Sequence, residues 1–213
     1  EAPELLDRLY PNRLSDLATG RIRYGVVTTD GGRIMDDGTV ARLGDDLFYV
    51  TTTSTGSDAV SEWFGWWNAV WGYDAEIVNV TGALAAVNLA GPLARQALGR
   101  LVEDADDVAA DAFKYLDAKH LDVAGVPTLA LRIGFVGELG YELHFPSPLS
   151  EHVWDTIFEQ AADLDPRPGG TCASRRVPGE HSGAVRSSRA RAVGRAGGRS
   201  SLDRAPERSV EPS

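Results

Sequence analysis

Two neighbouring aspartates, Asp36 and Asp37, stand in an apolar stretch that also contains Ile34, Met35 and Val40. Aspartate is depleted in β-strands, so a pair of aspartates inside a strand-like run calls for a specific role. Because successive strand residues point to opposite faces, the two carboxylates cannot act together as a dyad, and at most one faces a given pocket. A buried carboxylate needs a partner such as a ligand N–H or an arginine. The pattern equally allows both aspartates to be solvated at a strand end or bulge.

Glu142 is a further candidate, because it lies in an alternating run from Gly140 to Phe145. Tyr141 and Leu143 fall on one face of the predicted strand, and Glu142 and His144 fall on the other. Alternation alone favours a solvated glutamate on the outer face. Glu142 gains a binding role only if a ligand covers that second face.

The element that positions the two aspartates is predicted to be a β-hairpin. Its first strand is the β-branched and aromatic run from Arg21 to Thr28, and Asp30-Gly31-Gly32 supplies the positive φ angles of a tight turn. The return strand runs from about Arg33 to Leu43. After a turn at Gly44-Asp45-Asp46, the run from Leu47 to Thr53 continues the sheet as a meander.

Helical and strand patterns alternate along the rest of the chain. We expect helices after Pro3, after a capping box at Thr55 and Asp58, after Gly91-Pro92 up to the acidic run Glu103 to Asp107, and from Ser150. Further strands are predicted at Ala75 to Val80, Leu84 to Leu89, Val126 to Ile133 and Gly140 to Phe145, the last two as an antiparallel pair. The predicted fold class is α+β, with antiparallel sheets and flanking helices.

The second predicted helix has an aromatic stripe at helical spacing, formed by Trp63, Trp66, Trp67, Val70 and Trp71. Such a stripe can be a stacking platform for a planar ligand, but it is more often part of a hydrophobic core. We therefore expect it to be core.

Composition excludes several classes of function. The chain of 213 residues has a net charge of −10, which argues against nucleic-acid binding. No apolar run is long enough for a membrane span and no signal peptide is visible, so a cytoplasmic protein without a membrane partner is expected. Cys172 is the only cysteine and the four histidines lack paired metal-ligand spacing, so no metal site is predicted.

The composition changes at residue 166. Residues 166–213 contain 10 arginines, no lysine, no aromatic residue and 4 acidic residues. Such a segment cannot bury enough apolar surface to offset the entropy of ordering, so we expect it to be disordered. It is either a natural basic tail or a GC-rich coding region read out of frame, which would also be rich in arginine, glycine, alanine, serine and proline.

Several separated motifs resemble the folate-binding aminomethyltransferase family, which includes the glycine cleavage T-protein, dimethylglycine dehydrogenase and the α subunit of heterotetrameric sarcosine oxidase. The motifs lie in family order over about residues 2–165: GRIRYG from Gly20, MDDG from Met35, RLG from Arg42, TTT from Thr51, LAGP from Leu89, VAGV from Val123 and FVGELGYE from Phe135. The Asp-Asp-Gly form and the Thr-rich strand before a Trp-rich helix are most similar to the sarcosine oxidase branch.

The resemblance implies tetrahydrofolate as the cofactor and assigns roles to five residues. Asp37 matches the aspartate near the folate nitrogens where the one-carbon unit is transferred, and Glu142 matches the glutamate that binds the amino-pterin ring. Tyr24, Thr39 and Phe135 match positions that line the same site. At two family aromatic positions the sequence has Leu116 and Ala41 instead, which weakens a glycine-cleavage assignment.

By the same resemblance, this region would pass the carbon released from an oxidised N-methyl amine to tetrahydrofolate, with flavin and NAD held by other domains or by partner subunits. The alternatives are a glycine cleavage T-protein-like enzyme and a non-catalytic folate-binding regulator related to iron–sulfur assembly, although Cys172 lacks that regulator's motif. The resemblance implies a domain over residues 1–165 that is truncated at both ends. Such a fragment is expected to be poorly stable and catalytically silent.

Overall fold

The computed structural model of the protein describes residues 1–169 and the backbone of residues 184–187. In this part of the chain the α-helices are α1 (Ala2–Leu9), α2 (Ser57–Trp71), α3 (Ala94–Gly99) and α4 (Ser150–Gln160). The strands are β1 (Ile22–Thr28), β2 (Ile34–Arg42), β3 (Phe48–Val50), β4 (Leu84–Ala90), β5 (Ala118–Val123), β6 (Val126–Leu131), β7 (Gly140–Pro146), β8 (Arg167–Gly169) and β9 (Ala184–Ser187). Short 3₁₀ turns lie at Ala105–Val108, Ser147–Leu149 and Ala162–Leu164.

The strands form two sheets. The first has the order β1-β2-β3 and is an antiparallel meander, as the sequence predicts. The second has the order β5-β6-β7-β4-β9-β8 and is antiparallel except for the β8–β9 pair. The predicted fold class, α+β with antiparallel sheets and flanking helices, is confirmed.

Three hydrophobic clusters stack the elements in layers. One cluster joins α1 and α2 to the first sheet through residues that include Leu9, Phe64 and Val40. Another joins α3 and α4 to the second sheet through Leu98, Ile157 and Phe145, and other residues. The third holds the two sheets against each other and consists of Ile22, Ala41, Ala118, Leu129, Leu131 and Ile133. Side chains on the facing surfaces of the two sheets therefore share one space.

The hairpin of β1 and β2 forms as predicted. Gly32 has a φ of +74° at the turn, and the Thr29 N–H donates to the Arg33 carbonyl at 2.8 Å. Across the hairpin Tyr24 lies opposite Thr39. Directly opposite residues of an antiparallel pair share a face, so this register fixes which polar side chains come together.

The prediction of a strand at Ala75 to Val80 is wrong, because that segment joins neither sheet. At its start Asn68 Nδ2 donates to the Ala75 carbonyl at 2.9 Å, and just before it the Asp74 N–H donates to a Glu1 carboxylate oxygen at 2.6 Å. Ala75 and Ile77 still pack on the first sheet's helical cluster, which accounts for the apolar alternation.

Sequence reasoning missed β5. This strand forms a hairpin with β6 around Ala124 and Gly125, whose φ angles are +56° and +75°. A positive φ at both turn residues matches the right-handed twist of the flanking strands, and Asn-Gly or Asp-Gly is its usual sequence signal. The Ala124-Gly125 pair has the glycine of that signal but lacks the asparagine or aspartate.

Two predicted helices differ from the observed ones. Helix α2 begins after Gly56 with no side-chain cap, so the capping box of Thr55 and Asp58 is not formed, and α3 ends at Gly99 rather than within the acidic run. The buried residues of α2 are Val60 and Phe64.

The aromatic stripe of α2 is core only in part. Trp63, Trp67 and Trp71 pack partly buried on the first sheet's helical cluster, whereas Trp66 is 65% exposed and Val70 is also exposed. The helix is thus rotated away from the predicted face.

The segment after residue 165, predicted to be disordered, contains the short strands β8 and β9 within its described residues. Residues 170–183 and 188–213, including Cys172, lie outside the described residues. No helix in the described part of the chain has the length and apolarity needed to cross a membrane.

Candidate functional site

Asp36 and Asp37 point to opposite sides of β2, as strand geometry requires. Asp36 faces the helices and is only 5% exposed. Its carboxylate accepts the Thr53 N–H at 3.2 Å, the Thr53 hydroxyl at 2.9 Å and the Asp37 N–H at 2.7 Å. The buried carboxylate is therefore paired, but its partner is Thr53 rather than a ligand or an arginine. This arrangement gives Asp36 a structural role.

Asp37 lies on the other face of the first sheet and is exposed. It accepts a hydrogen bond from the Tyr24 hydroxyl. Thr39 lies on the same face, opposite Tyr24, and its hydroxyl is 2.8 Å from that of Thr51. The structure thus brings together three of the residues predicted to line the site, namely Tyr24, Asp37 and Thr39.

The Tyr24–Asp37 hydrogen bond affects the acidity of the phenol. Hydrogen bonding to the Asp37 carboxylate raises the pKa of Tyr24 above its ordinary value, and desolvation and the negative charges of Asp37 and Asp36 raise it further. The neutral phenol is therefore the hydrogen-bond donor at physiological pH.

Replacing Asp37 with asparagine should lower the Tyr24 pKa toward the ordinary tyrosine value of about 10. Because the folded-state pKa is raised, the hydrogen bond is fully present below about pH 10 and is lost as the pH rises through the raised pKa. Titration of tyrosine labelled with ¹³C at Cζ, with the resonance assigned by Tyr24→Phe, measures this shift. An Asp30→Asn variant at the hairpin turn is the control, and equal Tyr24 midpoints in wild type and Asp37→Asn would show that the pair does not form in solution.

Glu142 and His144 share the face of β7 that looks toward the first sheet. This face is covered, in contrast to the solvated outer face that alternation alone favours. The hydroxyl of Tyr49 is 3.0 Å from His144 Nδ1, and the two rings pack edge to face. His144 Nε2 lies 3.4 Å from Glu142 Oε2, which is long for a hydrogen bond. The Glu142 carboxylate, with its side chain 28% exposed, remains able to accept hydrogen bonds.

A cavity of about 780 Å³ lies at the β3 edge of the first sheet, and its wall is formed by parts of α1, α2 and β3 together with residues 74–81. From the second sheet, Ala86 and His144 also line it. Thr51, another lining residue, contacts Thr39, and His144 Nε2 lies 3.4 Å from Glu142 Oε2. The cavity is therefore next to Thr39 and Glu142.

Phe135 is 74% exposed in the loop between β6 and β7. Like Tyr24, Asp37, Thr39 and Glu142, it is not among the residues that line the cavity. Sequence reasoning also missed Tyr49, Thr51 and His144. Tyr49 and Thr51 are two residues apart, so strand alternation puts them on the same face. What that face contacts depends on segments distant in sequence. Among residues 1–169, no three His, Cys, Asp or Glu side chains are grouped as a metal site requires.

Comparison with known proteins identifies the family to which the chain belongs. Residues 1–182 match the sequence profile of the GCVT N-terminal domain, so the match extends beyond Asp165, where sequence reasoning ended the family-like region. The chain is 34% identical over 174 residues to the sarcosine oxidase subunit alpha of Corynebacterium sp. (strain P-1), covering 80% of this chain and 18% of that protein. It is 32% identical over 183 residues to the aminomethyltransferase of Corynebacterium jeikeium (strain K411), covering 80% of this chain and 46% of that protein.

A solved structure supports the fold. The glycine cleavage system aminomethyltransferase T from Bartonella henselae superposes with a TM-score of 0.58, at 19% identity, over 73% of this chain and 40% of that one. The chain thus spans less than half the length of the relatives that it matches. On its sequence match over residues 1–182, the chain belongs to the family of the GCVT N-terminal domain.

Proposed function

We propose that this chain is the folate-binding part of a sarcosine oxidase α-like enzyme and passes a one-carbon unit from an oxidised N-methyl amine to tetrahydrofolate. The observation that carries the proposal is the Tyr24–Asp37 pair on a sheet face that looks toward Glu142. The similarity of the chain to sarcosine oxidase subunit alpha supports an N-methyl amine as the source of the carbon. Flavin and NAD would be held by other domains or by partner subunits of the whole enzyme.

The residues fit a reduced folate by their hydrogen-bonding chemistry. The amino-pterin edge consists of N–H donors, which match the free acceptor capacity of the Glu142 carboxylate. The Asp37 carboxylate is exposed and receives one hydrogen bond from Tyr24, so it can accept a second from a folate amine. The cavity of about 780 Å³ that Thr51 and His144 line is next to these residues and is large enough for a bound ring system.

When bound, tetrahydrofolate supplies the nucleophilic nitrogens that accept the carbon. Asp37 would hold a folate N–H so that its nitrogen is in position to attack the carbon. The negative charge of Asp37 would stabilise the positive charge that develops as the carbon is transferred. The Tyr24 hydroxyl would fix the orientation of the Asp37 carboxylate. Glu142 would orient the pterin from the opposite sheet, and Thr39 would line the site beside Tyr24.

Isothermal titration with 5-formyltetrahydrofolate tests this assignment. Asp37→Asn and Glu142→Gln should each weaken binding by about 10- to 100-fold, because each removes a hydrogen bond to a charged group worth about 1.5–3 kcal/mol. Asp122→Asn changes an exposed aspartate of β5 and is the matched control, with unchanged affinity expected. Binding that survives both site substitutions would refute the site, and a wild-type chain that binds no reduced folate would refute the function.

A glycine cleavage aminomethyltransferase is the second candidate, favoured by the match to the Corynebacterium jeikeium enzyme. The two candidates differ in the donor of the carbon. Ala41 is fully buried between the sheets and Leu116 packs against the same cluster, so neither supplies the aromatic wall that the glycine-cleavage site has by resemblance. Replacement of both by tyrosine in the whole enzyme, followed by assay with each donor, separates the candidates.

A further inference from the structure

Asn88 lies in the middle of β4, directly opposite Glu142 on β7. Opposite residues of an antiparallel pair project from the same face, so Asn88 shares with Glu142 the face that looks toward the first sheet. The positions on this face include Ala86, Leu129 and Leu131, which are apolar, and His144. On its other side Asn88 pairs with the position of Arg186 on β9. Asn88 therefore lies at the centre of the second sheet, next to Glu142.

The Asn88 side chain is only 9% exposed, and its Oδ1 has no hydrogen-bond partner within the described part of the chain. Almost all buried polar atoms in folded proteins are hydrogen-bonded, and leaving one unpaired costs stability. By contrast, the hydroxyl of buried Thr128 donates to the Val126 carbonyl at 2.9 Å. Within the described part of the chain the Asn88 oxygen thus lowers stability with no compensating hydrogen bond, which is typical of a group whose partner arrives with a ligand.

We propose that Asn88 Oδ1 is a ligand-binding acceptor that acts side by side with Glu142 on the amino-lactam edge of a pterin. This inference rests on the proposed function. The edge presents three N–H bonds, one from the ring and two from the amino group, whereas one bidentate carboxylate contact accepts two. The Asn88 oxygen supplies the additional acceptor, and being neutral it adds no second negative charge beside Glu142.

The test combines stability and binding, because a structural asparagine and a ligand-binding asparagine give opposite results. Asn88→Leu keeps the shape and removes the unpaired acceptor. The variant is expected to have a higher thermal unfolding midpoint without ligand and about tenfold weaker binding of 5-formyltetrahydrofolate. Thr128→Val, on β6 of the same sheet, is the matched control, with a lower midpoint and unchanged affinity expected.

Asn88→Ala provides a second variant if the leucine does not pack, since it removes the same acceptor without adding bulk. Unchanged folate affinity in the variants, with binding by the wild type intact, would overturn the role of Asn88 and leave the proposed function standing. A lower unfolding midpoint in both variants would show that Asn88 has a structural partner and would also overturn it. A wild-type chain that binds no reduced folate would overturn both proposals together.

Discussion

Replacing Asp36 with alanine is expected to lower the free energy of unfolding by about 3 kcal/mol, the usual cost of removing one partner from a buried, charge-assisted hydrogen-bond set. The carboxylate accepts three hydrogen bonds, two of them from Thr53, and so connects β2 to the segment that precedes α2. Its loss leaves the Thr53 N–H and hydroxyl without their acceptor. It also releases the segment that positions Thr51 against Thr39.

Thermal denaturation followed by circular dichroism measures this effect, which corresponds to a drop in the midpoint of about 6–12 °C for a chain of this size. Asp37→Ala is the matched control, since this neighbouring aspartate is exposed and lies on the opposite face. It should change the midpoint by only a degree or two, while weakening folate binding. Equal destabilisation by the two variants would contradict the separation of a structural from a functional aspartate.

Replacing Gly38 with alanine is the second change with a large expected effect. A Cβ at this position would clash with the Thr51 carbonyl oxygen, a backbone atom that cannot move aside as the end of a side chain can. Gly38 stands between Asp37 and Thr39, so any shift of β2 displaces both site residues. We expect a loss of at least about 3 kcal/mol, at the upper end of the range for overpacking.

Urea denaturation of Gly38→Ala provides the measurement, and Gly65→Ala provides the control. Gly65 is exposed in the interior of α2, and an added Cβ there meets nothing within 4 Å. Alanine at that position should stabilise the protein by about 1 kcal/mol, because glycine is a poor helix former. A Gly38→Ala protein as stable as the wild type would show that the approach of Thr51 to β2 is looser than described.

Features set by local chemistry could be predicted from the sequence. The β1–β2 hairpin follows from alternating residues and a glycine turn, and the apolar face of β7 follows from Tyr141, Leu143 and Phe145, which are all fully buried. The α4 helix likewise begins at Ser150 as its pattern indicates. These signals depend only on neighbours in sequence.

Features that depend on distant contacts could not be predicted. Strand alternation shows that at most one of the two aspartates faces a given pocket, but Asp36 is identified as the buried one only by its bonds to Thr53, 17 residues away. The covered second face of β7 depends on Tyr49 meeting His144 across 95 residues. The unpaired oxygen of Asn88 is likewise visible only once both sheets are in place.

A crystal structure of the chain with 5-formyltetrahydrofolate would show whether a reduced folate binds between the two sheets, with Asp37 on one side and Glu142 on the other. We expect the pterin edge within hydrogen-bond distance of the Glu142 carboxylate and the carbon-bearing nitrogens beside Asp37. Folate bound on a surface that contacts neither carboxylate would show that the proposed site is wrong.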